Sequence, residues 1–137
     1  MTANRRPMTL MVITNDAERI HMALMTGATA AAVGRPVTYF FSKSGVQFLQ
    51  TGAWETLLSP GGITAPEMDA ALLEKGIADS DMLIDGLSAL DVRFVACETA
   101  LAEQGVDVST LVQRPAVEIS GLADILEKGA GGDFLTF

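Results

Sequence analysis

The sequence predicts an α/β fold, a three-layer α/β/α sandwich around a mostly parallel five-stranded sheet. Three observations carry that prediction. Apolar runs of strand length alternate with helical patterns along the whole chain. Those runs lack strict apolar–polar alternation, as strands do when both faces are covered. The link from the first helix to the second strand is short, which defines a βαβ unit.

The elements follow in order. "TLMVIT" (9–14) is the first strand, stopped by Asn15 and Asp16. Asn15 with Glu18 three residues later reads as a capping box. The helix it opens runs to Gly34, a natural C-cap. Its apolar stripe is Ile20, Leu24 and Ala28 with Ala23, Gly27 and Ala31, and the small residues suit close packing on a sheet. "PVTYFF" (36–41) is the second strand, followed by a loop with one helical turn. Residues 51–66 carry Gly, Pro and Ser and read as a surface insertion or flap. Thr64, Pro66 and Glu67 begin a helix that breaks at Gly76 and restarts over "DSDMLIDGLSAL". "VRFVA" (92–96) is the third strand, and "ETALAEQ" a short helix closed by Gly105. "AVEI" (116–119) is the fourth strand. Ser120 is expected to cap a helix through "LADILEK", with Leu122, Ile125 and Leu126 facing the core. "DFLTF" is the fifth strand. At 137 residues the chain is expected to be one domain.

Composition excludes several function classes. The net charge is -8, and the nine basic residues do not cluster apart from Arg5 and Arg6, in an N-terminus expected to fray. A nucleic-acid binder needs a basic stripe or a stacking platform, and neither is present. No Gly-rich phosphate loop follows the first strand. One cysteine excludes an internal disulfide and a CxxC pair, and with His21 alone to help it makes a zinc site improbable. "MTLMVIT" is too short for a secretory h-region, and no apolar stretch has the length of a membrane span. A cytoplasmic protein with a reduced thiol is the expectation.

In open parallel sheets ligands bind beyond the carboxyl ends of the strands. The residues there are Asn15 and Asp16, Ser42 and Lys43, Cys97 and Glu98, and Ser120 and Gly121. Cys97 stands between a strand and a helix N-terminus, where the helix dipole favours a thiolate. Lys43 would add a cation if its side chain turned toward Cys97, whereas Glu98 disfavours a second anion. Plainer readings stand beside these. Cys97 is equally a small buried apolar residue, Asn15 and Asp16 a helix cap, and Ser42 to Gly45 a turn rather than an anion nest. His21 reads as a surface or interface residue, and Met22, Met25, Met68 and Met82 as core or interface filler. Phe48 and Trp54 are expected to pack against a neighbouring subunit. Asp79, Asp81 and Asp85 form a solvated helix face.

Three segments resemble the DsrE/DsrF/DsrH-like family of small sulfur-relay proteins. They are "TLMVITNDAERIHMALMTGATAAAVGRPVTYFF", "VRFVACETALAEQGV" and "VEISGLADILEKGAGGDFLTF". No single motif is specific; order and spacing together carry the likeness, which is nearest to DsrE-like proteins with an expanded, Met-rich middle region. The resemblance implies an α/β fold, a homo-oligomer (a trimer or hexamer) and no organic cofactor. It also implies a cysteine that carries sulfane sulfur as a persulfide between donor and acceptor proteins, and this maps onto Cys97. Asn15, Ser42, Lys43 and Glu98 are then the expected substrate-contacting residues. "FFSKSG" departs from the subgroup's aromatic-rich stretch, and Glu98 stands where a neutral residue is usual. Those departures support the alternative, a non-catalytic binding or assembly module with Cys97 buried.

Overall fold

The computed structural model describes residues 5–137. Five strands form one sheet in the order β4-β3-β2-β1-β5, and every pairing is parallel. The strands are β1 (Met8–Val12), β2 (Val37–Phe41), β3 (Arg93–Cys97), β4 (Val117–Ser120) and β5 (Asp133–Thr136). The helices are α1 (Ala17–Ala32), α2 (Ala65–Glu74), α3 (Ser80–Ala89), α4 (Glu98–Gln104) and α5 (Leu122–Lys128). The expected three-layer α/β sandwich is therefore the observed one, with a sheet that is wholly rather than mostly parallel.

Register assigns the layers. Leu10, Tyr39, Phe94 and Val117 share one row and one face, since parallel partners point the same way. That face carries α1: the Tyr39 hydroxyl donates to the Ala23 and Leu24 carbonyls, at 2.6 and 3.2 Å. Burial pushes the Tyr39 phenol far above its ordinary range, so it stays protonated. Gly27 is what lets the ring in, because a Cβ there would overlap the Tyr39 hydroxyl. α3 packs on α1 in the same layer. The opposite face carries Thr9 and, in register with it, Phe134. There α5 closes the sandwich, its C-cap Gly129 lying against both side chains.

Several boundaries and caps differ from expectation. Asp16, not Asn15, caps α1 by accepting from the Arg19 amide. The Glu18 side chain is not needed for this, so the capping box is absent. Gly121, not Ser120, is the N-cap of α5, because Ser120 is still paired in β4 opposite Cys97. Of the three apolar residues assigned to the core face of α5, only Ile125 is buried. Leu122 and Leu126 are 47% and 51% exposed, since a two-turn helix presents a single row to the sheet. His21 is buried rather than superficial, with Nε2 donating to the Ala78 carbonyl at 2.9 Å. Thr64 does begin α2 with a capping box to Glu67.

Residues 51–66 form two short 3-10 turns, Ala53–Thr56 and Pro60–Gly62. Their aromatic anchor, Trp54, is half-buried and packs on its own chain. Trp54 meets Phe48 edge to face, and Phe48 stacks on Phe41 of the sheet. Trp54 Nε1 donates to Asp69 at 2.7 Å, and the same buried carboxylate accepts from the Ser80 amide and hydroxyl. One carboxylate thus ties the insertion, α2 and α3 together. At the N-terminus, Arg6 and Arg35 both bond Asp133 of β5, so Arg6 is tied down. The remainder of the expected fray, 1–4, lies outside the described residues.

Candidate functional site

The carboxyl edge of the sheet holds the thiol. β3 ends on Cys97, whose extended backbone (φ -70, ψ 119) makes it both the last strand residue and the N-cap of α4. Strand alternation turns Cys97 to the α5 side of the sheet, the side of Val95. On one flank it is in register with Ser120. On the other flank, Phe41 pairs with Ala96, so the next residues in line are Ser42 and Cys97. Ser42 keeps an extended backbone and stays attached to β1 through its amide, which donates to the Val12 carbonyl at 3.0 Å. A thiol therefore stands between two hydroxyl residues on one row, with neighbouring strands about 4.8 Å apart. The Ser120 hydroxyl donates to Asp124 at 2.7 Å and keeps only acceptor capacity toward the thiol. The Ser42 side chain makes no capping bond to the turn that follows it.

Cys97 is a free thiol and only 6% exposed. It makes no side-chain capping bond to α4. Glu98, the first residue of α4, is exposed and reaches across the mouth between β3 and β4. Its Oε1 lies 3.3 Å from where a Cβ on Gly121 would sit. Gly121 therefore leaves room for the Glu98 carboxylate beside the thiol row.

The other expected site residues build the scaffold around this row. The turn after β2 is a 3-10 helix, Lys43–Leu49. Gly45 lets it press on the end of β1, since any Cβ there would run into the Val12 carbonyl oxygen. Asn15 Nδ2 donates to Gln47 Oε1 at 3.1 Å, and Gln47 Nε2 donates to Gln104 Oε1 at 2.8 Å. Lys43 Nζ donates to Glu103 Oε2 at 3.0 Å. Its cation is therefore directed at α4 and not at Cys97. That bond, with the Lys43 charge, holds the Glu103 carboxyl below the usual range. Lys43 also adopts φ +49, a left-handed conformation that costs a non-glycine residue about 1 kcal/mol. Asn15, Gln47, Gln104, Glu103 and Lys43 together lock the end of β1, the turn and α4 around the thiol.

Sequence reasoning thus gathered Cys97, Glu98 and Ser42 at one place, and put Asn15 and Lys43 one layer too close. It placed Ser120 at the same edge but took it for a helix cap, where the structure pairs it in register with Cys97. No local signal gives that partner, because it depends on the register between β3 and β4. Among the described residues no group of three or more His, Cys, Asp or Glu is placed to hold a metal ion. Nor, among them, is any helix long and apolar enough to cross a membrane.

The comparisons agree with this architecture. The model of the DsrE/DsrF-like family matches residues 8–137, nearly the whole chain. No curated protein matches. Among solved structures, MTH1491 from Methanobacterium thermoautotrophicum, a protein of unknown function, is 16% identical with a TM-score of 0.65. The alignment covers 97% of this chain and 100% of that one. The ychN protein from E. coli is 15% identical with a TM-score of 0.65, over 97% of this chain and 100% of its own. BT1422 from Bacteroides thetaiotaomicron, a conserved protein of unknown function, is 14% identical with a TM-score of 0.60, over 100% of this chain and 98% of its own. At these identities the likeness is one of fold.

Proposed function

The chain belongs to the DsrE/DsrF-like family, and from that premise we propose that it is a cytoplasmic sulfur carrier working through Cys97. The observation that supports this reading is the position of the sole cysteine: at the carboxyl end of a central strand, on the functional edge of a parallel sheet, between Ser42 and Ser120. The step is a transfer between thiols. The Cys97 thiolate attacks the outer, sulfane sulfur of a donor persulfide. The new S–S bond forms as the donor's own S–S bond breaks, and the donor leaves as a thiolate. Cys97 then carries a persulfide. An acceptor thiolate attacks its outer sulfur and returns Cys97 to the thiolate. Sulfur oxidation states are exchanged between partners, so no external oxidant or organic cofactor enters.

The surrounding residues have definite tasks in this scheme. Ser42 offers a hydroxyl proton to the anionic sulfur. The first-turn amides of α4 add their partial positive charge. Glu98 at the mouth repels anionic competitors and favours a donor that brings its own cation. A lone cysteine cannot resolve its own persulfide, so delivery requires a second protein, and a protein of net charge -8 suits a basic partner surface. The reading includes a homo-oligomeric carrier.

One observation favours a second reading. A thiol 6% exposed is poorly accessible, which fits a binding or assembly module that keeps the fold without the chemistry. Intact mass spectrometry after treatment with a persulfide donor separates the two. The carrier gains one sulfur, loses it on reduction, and gains none as Cys97→Ser. A native protein that takes up no sulfur, while its denatured form alkylates normally, establishes the second reading instead.

A further inference from the structure

The insertion at 51–66 does more than cover the sheet. With α3 and the segment that leads into β4 it walls a cavity of about 200 Å³. Phe94 of β3 and Phe48 lie at its base, both buried. Trp54, Ile84 of α3, Val112 and Pro115 complete the apolar lining. The Phe48 and Trp54 rings meet at 81° with centroids 5.7 Å apart, so they form an aromatic corner. The indole is fixed in that corner by its bond to Asp69. An apolar cavity of about 150 Å³ takes one benzene, and this one has room for a single ring with a short arm.

Three polar side chains stand at the rim: Gln50, Asp81 and Arg114. The Arg114 guanidinium is already bonded to Asp85, at 2.9 Å. Asp81 lies exposed in the first turn of α3. Asp79 caps that helix, whereas the Asp81 carboxylate has no hydrogen-bond or ion-pair partner among the described residues. The free charge at the rim is therefore negative. Trp54 and Asp81 also line the adjoining cleft, whose other charged residues, Glu55, Asp69 and Asp79, are all acidic. We propose that the cavity binds a small primary ammonium that carries one apolar group of ring size, an arylalkylamine in chemical class. The apolar group fills the space over Phe94. The ammonium sits between Trp54 and Asp81, where the ring quadrupole attracts the cation and the carboxylate accepts its N–H groups. The cavity with its fixed aromatic corner makes the site, and the one free carboxylate sets the sign of its ligand. An anion of the same shape would face Asp81 while Arg114 is engaged by Asp85.

The site is independent of the thiol. Phe94 and Cys97 stand three residues apart on β3, so their side chains leave opposite faces of the sheet. Trp54 is the sole tryptophan, and its emission reports the cavity directly. The test is a titration with benzylamine, followed by fluorescence and by calorimetry, against benzyl alcohol and benzoate as its neutral and anionic counterparts. Benzylamine is expected to bind saturably with a Kd of about 1 mM or tighter, and benzoate at least about tenfold more weakly. Asp81→Asn should weaken benzylamine about tenfold and leave benzyl alcohol unchanged. Ile84→Phe fills the cavity without altering its charge and should abolish binding of both. Cys97→Ser should bind as wild type does. No saturable binding of benzylamine up to about 10 mM overturns the proposal. So does benzoate that binds as tightly as benzylamine, or benzylamine binding that either Asp81→Asn or Ile84→Phe leaves unchanged.

Discussion

A single hydroxyl and a missing Cβ fix how α1 meets the sheet. Tyr39 reaches through the gap at Gly27 to the Ala23 carbonyl. Gly27→Ala has two opposing effects. A helix interior gains about 1 kcal/mol on replacing Gly by Ala. Overpacking costs about 1–3 kcal/mol, and losing the Tyr39 hydrogen bond costs about 1 kcal/mol more. The clash is larger, so Gly27→Ala is expected to destabilise by about 1–3 kcal/mol in urea unfolding. Tyr39→Phe removes the atom that the new Cβ meets first. In that background Gly27→Ala should cost less, and additive effects in the double-mutant cycle would refute the contact as the cause. Gly27 was legible in the sequence as a small residue on the apolar stripe. Its partner was not, because helical periodicity says which face is buried and nothing about which side chain arrives from the sheet. Cys97 was legible for the opposite reason. Its place follows from the end of an apolar strand followed by a helix, a purely local signal. The hydroxyls beside it depend on register between strands distant in sequence, which no local pattern encodes.

At the scale of elements, the insertion at 51–66 is held by its link to Asp69. Three donors converge on this carboxylate, from Trp54 and from the amide and hydroxyl of Ser80. Asp69→Ala leaves the buried Ser80 groups and the indole N–H without an acceptor, and is expected to cost about 2–4 kcal/mol. Trp54 is the sole tryptophan, so its fluorescence reports the insertion directly. The variant should show a red-shifted native spectrum together with a lower urea midpoint. An unchanged spectrum would mean that the edge-to-face contact with Phe48 alone seats the insertion. The composition of 51–66 correctly announced irregular backbone. It could not announce the anchor, since Asp69 sits on α2 and looks like any helical acid. The same limit explains α5. Leu122, Ile125 and Leu126 satisfy a helical stripe, yet a seven-residue helix has room for one buried row.

At the scale of the whole molecule, the sheet is closed at one edge by charge. Arg6 and Arg35 converge on Asp133, and their hydrogen bonds and charges hold that carboxyl below its usual range. Its folded pKa is depressed, so the stabilisation is complete above the unfolded value of about 3.9 and is lost as pH falls through the folded one. Wild type should therefore melt higher than Asp133→Asn at pH 7. The gap should narrow once the pH drops below about 4. A gap that persists at pH 2 would assign the effect to packing. The overall architecture was the most legible level of all, because alternating strand and helix patterns leave few parallel topologies open. The strand order was not, since the fifth strand has no local reason to cross the sheet and join the first. That crossing has a consequence for synthesis. β1 is made more than a hundred residues before its edge partner, and its outer edge waits for residues 133–136. Until those residues are made, the growing chain displays an unpaired, apolar strand edge, the feature that templates aggregation. A chaperone that shields the first strand in the meantime would be protecting the place kept for the fifth.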